Sequence, residues 1–299
     1  MASPAPLAAN DADLTNLDAK EERLLAILRG YGRVAVAFSA GVDSTVVAAA
    51  AFRACGDQAV AVTAVSASLP SGEQTAAEDL ARQIGIRHEL LLTDEFNDPN
   101  YVRNPFNRCY FCKSELYRQV AAKAPQWNVD IVVNGANLDD LGDYRPGLQA
   151  ANEFRVASPL VEAGLRKSDV RALAQRWGLP VWDKPASPCL SSRLAYGLEV
   201  TPERVARVDA AEVFLRNLLQ CNELRVRHES HDLARIEVPV DFLPRLIEAD
   251  NRSRIVEQLK LLGFKSVTID LQGFRSGSLN QVVPMTTLLA SARSVATPQ

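Results

Sequence analysis

Two groups of residues in this chain have types and spacing suited to chemistry. The first is Phe38-Ser39-Ala40-Gly41-Val42-Asp43-Ser44-Thr45, a run of small residues between an apolar stretch and a helical one. Such a turn offers backbone N–H groups and the positive end of a helix dipole to an anion, and Ser39 and Ser44 add hydroxyl donors. Asp43 would repel a bare phosphate, so its place there makes sense if Mg²⁺ bridges it to the phosphates. No Gly-Lys-Ser/Thr follows, which separates the turn from a Walker A loop. The second group is Cys109 and Cys112, in Asn107-Arg-Cys-Tyr-Phe-Cys-Lys113, together with Cys189 in Lys184-Pro-Ala-Ser-Pro-Cys-Leu-Ser-Ser-Arg193. A Cys-x-x-Cys spacing lets two thiolates face one metal or each other. The neighbouring Arg108 and Lys113 are expected to lower the thiol pKa values.

Several chemistries fit these thiols. Zinc needs a fourth ligand, and the three histidines, His88, His228 and His231, lie away from the motifs in sequence. A redox pair is disfavoured because the motif follows a loop rather than the first strand of a thioredoxin-like unit. Plain structural thiols also remain. An iron–sulfur cluster on three cysteines is the favoured reading, because it leaves one iron open for a labile hydrosulfide. Cys55 and Cys221 lie in helical or helix-end contexts and read as small buried hydrophobes.

The elements that would carry these residues alternate. Strands are expected at Arg33–Phe38, Ala59–Val65, His88–Leu92 and Asp130–Asn134. Helices are expected at Glu21–Leu28, Ser44–Ala54, Glu73–Ile84, Ser114–Ala124 and Asp169–Trp177, the last capped by Ser168. Asp94–Asn107 reads as a long loop and Asp183–Ser192 as irregular chain, so all three cysteines are expected on loops. This is an α/β pattern, a parallel sheet covered on both faces. After Gly197 the pattern changes. A long helix, Pro202–Leu219, opens on proline; strands at Glu223–Arg227 and Ala234–Val238, a helix Phe242–Leu262 and a strand Ser266–Leu271 follow. The division read from sequence is a disordered tail 1–19, an α/β domain 20–197, a smaller α+β domain 198–285 and a tail 286–299.

Composition sets limits. The 299 residues are 47% hydrophobic, enough for a core, and carry a net charge of -3. That balance argues against a nucleic-acid partner. No apolar run approaches the length of a membrane span, and the Pro-rich start lacks the form of a secretory signal. A cytoplasmic location with reduced thiols is the resulting expectation.

The Ser39–Ser44 turn resembles the Ser-Gly-Gly-x-Asp-Ser loop of the PP-loop ATP pyrophosphatases, which cleave ATP between its α- and β-phosphates and pass AMP to an acceptor. Ala40 departs from that pattern; with positive φ it would cost about 1–2 kcal/mol. Further motifs resemble the LarE family, the pyridinium-3,5-biscarboxylic acid mononucleotide sulfurtransferases: Asn134–Gly147, Ala157–Leu160, Lys184–Arg193, Arg225-Val-Arg227, Ala234–Glu237 and Asp270–Gly277. The resemblance spans about residues 20 to 285. It implies a Rossmann-like PP-loop domain and an ATP- and Mg²⁺-dependent adenylation of a carboxylate, followed by attack of sulfur, in nickel-pincer nucleotide cofactor synthesis. It implies phosphate and nucleotide contacts from Ser39, Gly41, Asp43, Ser44 and Gly135. Substrate contacts are implied for Ser192, Arg193, Glu212, Arg225 and Arg227, and a homo-oligomer is implied as well. One branch of the family sacrifices a single cysteine just ahead of Ser-Ser-Arg; that position is Pro188 here. The other holds a 4Fe-4S cluster on three cysteines, which Cys109, Cys112 and Cys189 match. The rival readings are a PP-loop tRNA-thiolating enzyme and a non-enzymatic iron–sulfur sensor. The sulfur donor is not legible.

Overall fold

The computed structural model describes residues 11–142, 145–185 and 187–275. Its first module is built on a four-stranded parallel sheet, β1 (Val34–Ala37), β2 (Ala59–Val65), β3 (Arg87–Leu92) and β4 (Ile131–Val133), in the order β3-β2-β1-β4. In the register, Val34 stands opposite both Ala59 and Ile131. β1 and the first part of β2 are buried on both faces, so they read as continuous apolar runs rather than alternating ones.

Helices α1 (Asp11–Tyr31), α2 (Val42–Cys55), α3 (Glu73–Ile84), α4 (Pro99–Val102), α5 (Arg108–Trp127), α6 (Pro146–Glu153), α7 (Pro159–Glu162) and α8 (Lys167–Arg176) accompany the sheet. The chain runs from β1 outward through β2 to β3, then crosses to the other side of β1 to lay down β4. Strand order therefore reverses between β1 and β4. In open α/β sheets the crevice at the carboxyl ends of two such strands is where ligands bind. Here the Ser39–Ser44 turn leaves β1 and Asn134-Gly135 leaves β4, so both flank that crevice.

Several expectations change. Residues 11–19, read as part of a loose tail, are the first turns of α1. Leu17, Leu24 and Leu28 bury one side of it in the main core, and Lys20 and Asp18 pair with Asp169 and Arg176 of α8. The Asp94–Asn107 stretch holds α4, with Asp98 accepting the Asn100 N–H at its start. Helix α5 begins six residues early, so Cys109 lies in its first turn and Cys112 at the start of its second, and neither is on a loop. The cap of α8 is Arg166 rather than Ser168; the Asp169 carboxylate accepts the Arg166 N–H at 2.8 Å. Short α6 and α7 carried too little periodicity to be foreseen.

The second module has helices α9 (Pro202–Leu219), α10 (Leu243–Ile247) and α11 (Ala249–Leu261). These pack on a three-stranded sheet, β5 (Arg225–Glu229), β6 (Leu233–Glu237) and β7 (Ser266–Ile269). β5 and β6 are antiparallel, β6 and β7 parallel. Thr201 caps α9 by accepting the Arg204 N–H, and Pro202 occupies its first turn. The single helix expected over Phe242–Leu262 is two, because Glu248 turns extended (ψ 135°) and becomes the cap of α11. The core of this module also takes in Tyr101, Leu190 and Leu194, so packing crosses residue 197. Residues 276–299, and with them the end of the expected second domain and the C-terminal tail, lie outside the described residues, as do residues 1–10. Among the described residues no helix is long and apolar enough to cross a membrane.

The buried position of Leu17 gives a test of α1. Leu17→Ala should cost about 2 kcal/mol in urea unfolding; a loose tail would show no change.

Candidate active site

Gly41, at the cap of α2, has no side-chain capping bond. The Ser44 hydroxyl donates to the Gly41 carbonyl at 3.1 Å and lies 3.2 Å from the Ser39 hydroxyl; it also accepts the Ser39 N–H. These bonds close the turn into a ring of small groups. Ala40 sits in the left-handed region (φ 54°), fully buried, so the strain anticipated for a non-glycine residue is present.

Gly135 lies directly against this turn. A Cβ there would stand 2.8 Å from the Ser44 backbone nitrogen and 3.1 Å from the Asp43 carbonyl carbon. The strand that borders β1 at the reversal can approach the α2 N-terminus this closely only without a side chain. Asp43 is held between two partners that sequence reasoning missed: Lys167 Nζ at 2.5 Å and Asn137 Nδ2 at 3.1 Å. Lys167 opens α8, 124 residues from Asp43, so no local spacing announces it. Lys184, the first residue of the Cys189 motif, reaches Glu73 at 2.8 Å and the Ala40 carbonyl at 3.4 Å. Cys189 follows five residues later, within about 18 Å of chain from Lys184.

Around Cys189 the chain is stitched to both modules. Leu190 N–H donates to Ser68 O at 2.9 Å, and Tyr101 Oη meets Ser191 Oγ at 2.7 Å. Arg108, 4% exposed, donates from one nitrogen to Asn104 Oδ1 and Ser191 O. That pins the start of α5 to the Cys189 segment and brings the three cysteines into one neighbourhood. All three are free thiols. Each raises the pKa of Lys113, and Cys189 and Cys109 both act on Cys112. The expected thiol activation is reversed at Cys112. Burial pushes its pKa up, Glu95 and the other two thiols add to this, and Lys113 only partly offsets them. Glu95 is itself buried, with one oxygen taking the Ser66 and Ser68 hydroxyls and the other without a partner among the described residues. Among the described residues, no three His, Cys, Asp or Glu side chains are gathered tightly enough to hold a metal ion. Of the other two cysteines, Cys221 is buried and Cys55 half-buried, as small apolar residues would be.

Arg193 is held by the carboxylate of Glu212, fully buried on α9, at 2.9 and 3.3 Å. Its remaining nitrogen donates to the carbonyls of Pro188 and Cys189 and to Ser192 Oγ. Glu212 also receives Arg216 and the Val226 N–H of β5. Arg225 and Arg227 share one face of β5, as their spacing predicts, and both are buried rather than solvated. Arg227 pairs with Glu237 at 3.0 Å through two nitrogens and donates to Ser192 O at 2.8 Å. Arg225 forms no ion pair with a described carboxylate; its guanidinium lies 4.7 Å from the Phe274 ring. The structure thus draws the expected site residues into two clusters, the β1–α2 turn with Gly135, and the thiols with Ser192, Arg193, Glu212, Arg225 and Arg227.

A parallel Rossmann-like sheet with a small-residue anion turn at its strand-order reversal is the architecture of a PP-loop nucleotide-binding enzyme. No protein-family model matches the chain. It is 47% identical to an uncharacterized protein of Synechocystis over 89% of this chain and 99% of that one. It is 38% identical to the pyridinium-3,5-bisthiocarboxylic acid mononucleotide synthase of Lactiplantibacillus plantarum, over 90% of this chain and 97% of that enzyme. A tRNA-specific 2-thiouridylase of Azorhizobium caulinodans is 33% identical over 52% of this chain and 49% of its own length. The chain belongs to the LarE family of PP-loop enzymes.

Two substitutions probe the two clusters. Gly135→Ala should cost about 1–3 kcal/mol through overpacking and weaken ATP binding, read by calorimetry against wild type. Glu212→Ala leaves buried Arg193 without its counterion and should lower stability by about 3–5 kcal/mol in denaturant unfolding.

Proposed function

We propose that this enzyme uses ATP to activate a carboxylate of pyridinium-3,5-biscarboxylic acid mononucleotide and converts it to a thiocarboxylate, as a step towards a nickel-pincer nucleotide. The observation that carries the reading is the joining of an anion turn and three free thiols through one segment, Lys184–Arg193. The close relationship to the bisthiocarboxylic acid mononucleotide synthase supports it.

In this reading the α2 N-terminus with Ser39, Gly41 and Ser44 takes the phosphates of ATP. Asp43, its carboxylate fixed by Lys167 and Asn137, would be the residue to hold Mg²⁺, which would offset the charge of the phosphates. A substrate carboxylate oxygen attacks the α-phosphorus, the bond to the β-phosphate oxygen breaks, and pyrophosphate departs. Sulfide then adds to the acyl carbon and AMP leaves, a far better leaving group than hydroxide. Arg193 and Arg225 supply positive charge beside the site, suited to the tetrahedral intermediate and to the substrate phosphate.

A 4Fe-4S cluster is part of the proposal, supported by the kind of donor present rather than by its spacing, since among the described residues no three such side chains are gathered tightly enough to hold a metal ion. Three free thiols, rather than a mixed His and carboxylate set, share one neighbourhood with two cations, Arg108 and Lys113, that offset cluster charge. Cys109, Cys112 and Cys189 would hold it. When bound, the cluster supplies exchangeable sulfide at the iron not held by cysteine. Pro188 stands where the other branch of the family keeps its sacrificial cysteine, which favours the three-thiol arrangement. A cytoplasmic homo-oligomer acting on a small molecule completes the proposal; the net charge of -3 weighs against an RNA substrate.

The test is pyrophosphate release from ATP by anaerobically reconstituted protein. The pyridinium dicarboxylate mononucleotide should stimulate it and tRNA should not. Cys189→Ala should retain pyrophosphate release, lose iron and sulfide, and form no thiocarboxylate. Release that depends on tRNA would move the chain to the thiouridylase class, and release with neither would end the proposal.

A further inference from the structure

The segment after β7, Asp270-Leu-Gln-Gly-Phe-Arg275, has so far been given no role. It continues alongside the end of β6 in the parallel direction set by β7. Asp270 N–H donates to Ile236 O at 2.9 Å and Phe274 N–H to Val238 O at 2.8 Å. Between these anchors the chain turns: Gln272 N–H donates to Asp270 Oδ1 and Gly273 N–H to Asp270 O. Gly273 is left-handed (φ 72°), and a Cβ on it would stand 3.0 Å from the Val238 carbonyl oxygen, so the strap needs glycine there. The Asp270 carboxylate clamps the strap to β6 through Arg235 at 2.6 Å, and Arg235 also donates to Glu237, the partner of Arg227.

This construction delivers one ring, Phe274, to the guanidinium of Arg225. Arg225 is 6% exposed and stands beside Arg193 and Arg227. Those two form ion pairs with Glu212 and Glu237, whereas Arg225 has no carboxylate partner among the described residues. Burial, then Arg227 and Arg193, lower its pKa to about 10, so it remains a cation at neutral pH. A buried cation without a counterion is expensive. An aromatic face 4.7 Å from the guanidinium carbon offsets part of that cost without taking up any N–H group in a hydrogen bond, which leaves the N–H groups for a forked acceptor.

We propose that Phe274, held by the strap, is a positioning residue that keeps the Arg225 guanidinium edge-on to the phosphate of the mononucleotide substrate. The proposal rests on the functional reading above. It adds that affinity for the phosphate end is set by a ring that does not itself touch the substrate. The strap motif is then explained as a unit: aspartate for the clamp, glycine for the turn, phenylalanine for the stack.

The test is calorimetric titration of pyridinium-3,5-biscarboxylic acid mononucleotide, and of its dephosphorylated nucleoside, into the full-length protein. Phe274→Leu should weaken mononucleotide binding about tenfold, since the π face is lost while apolar volume is kept, and Phe274→Tyr should stay within about twofold. The nucleoside should bind wild type and Phe274→Leu alike. Phe274→Met repeats the measurement with a second apolar side chain, and thermal unfolding establishes that each variant is folded. Equal mononucleotide affinity in folded Phe274→Leu overturns the proposal, as does an equal loss for mononucleotide and nucleoside, which would mark a packing role. If Arg225→Gln binds the mononucleotide like wild type, the anion site falls and Phe274 with it. If wild type itself does not bind the mononucleotide, the functional reading is what fails.

Discussion

The site depends on one carboxylate. Glu212 sits fully buried on α9 and accepts from Arg193, Arg216 and the backbone of β5. A charge so far from water survives only with its partners in place, and that requirement fixes the partners in turn. Arg193 is aimed by Glu212 and spends its other nitrogen on the carbonyls at 188 and 189, which sets the path of the chain carrying Cys189. Glu237 does the same for Arg227, which holds the carbonyl of Ser192. The small module is therefore less an appendage than a brace. Its buried acids orient arginines, and the arginines shape a loop that belongs by sequence to the other module.

A second constraint acts at the sheet. Strand order reverses at β1 and β4, so two loops leave the same edge in opposite directions and open a crevice. Helix α2 must start in it, and β4 must end against that start. Gly135 is the solution, since backbone meets backbone there. Lys167 and Lys184 then bring positive charge to the rim from segments more than a hundred residues further along.

Much of this was legible in the sequence because it was local. The β1–α2 turn, the alternation of strands and helices, and the position of α3 follow from small-residue runs and period, which short windows contain. The pairing of Arg225 and Arg227 on one face follows from the two-residue repeat of a strand. What escaped was non-local. The early start of α5 depends on Arg108 being buried against Asn104 and Ser191, a tertiary contact that overrides the loop-like look of Asn107-Arg-Cys. The expected low thiol pKa at Cys112 failed because sequence shows the neighbouring lysine but not the burial or Glu95. Residues 11–19 were grouped with the Pro-rich start as a tail, and the role of Leu17 and Asp18 appears only once the main core and α8 lie beside them.

Ala40 holds the anion turn in a left-handed bend that glycine would adopt without cost. The alanine also restricts the unfolded chain more than glycine would, which returns some of the penalty. Residue 40 has fewer backbone conformations open to it than glycine would have, so the bend at the mouth of the crevice is narrowed to one shape by the residue itself as well as by its surroundings.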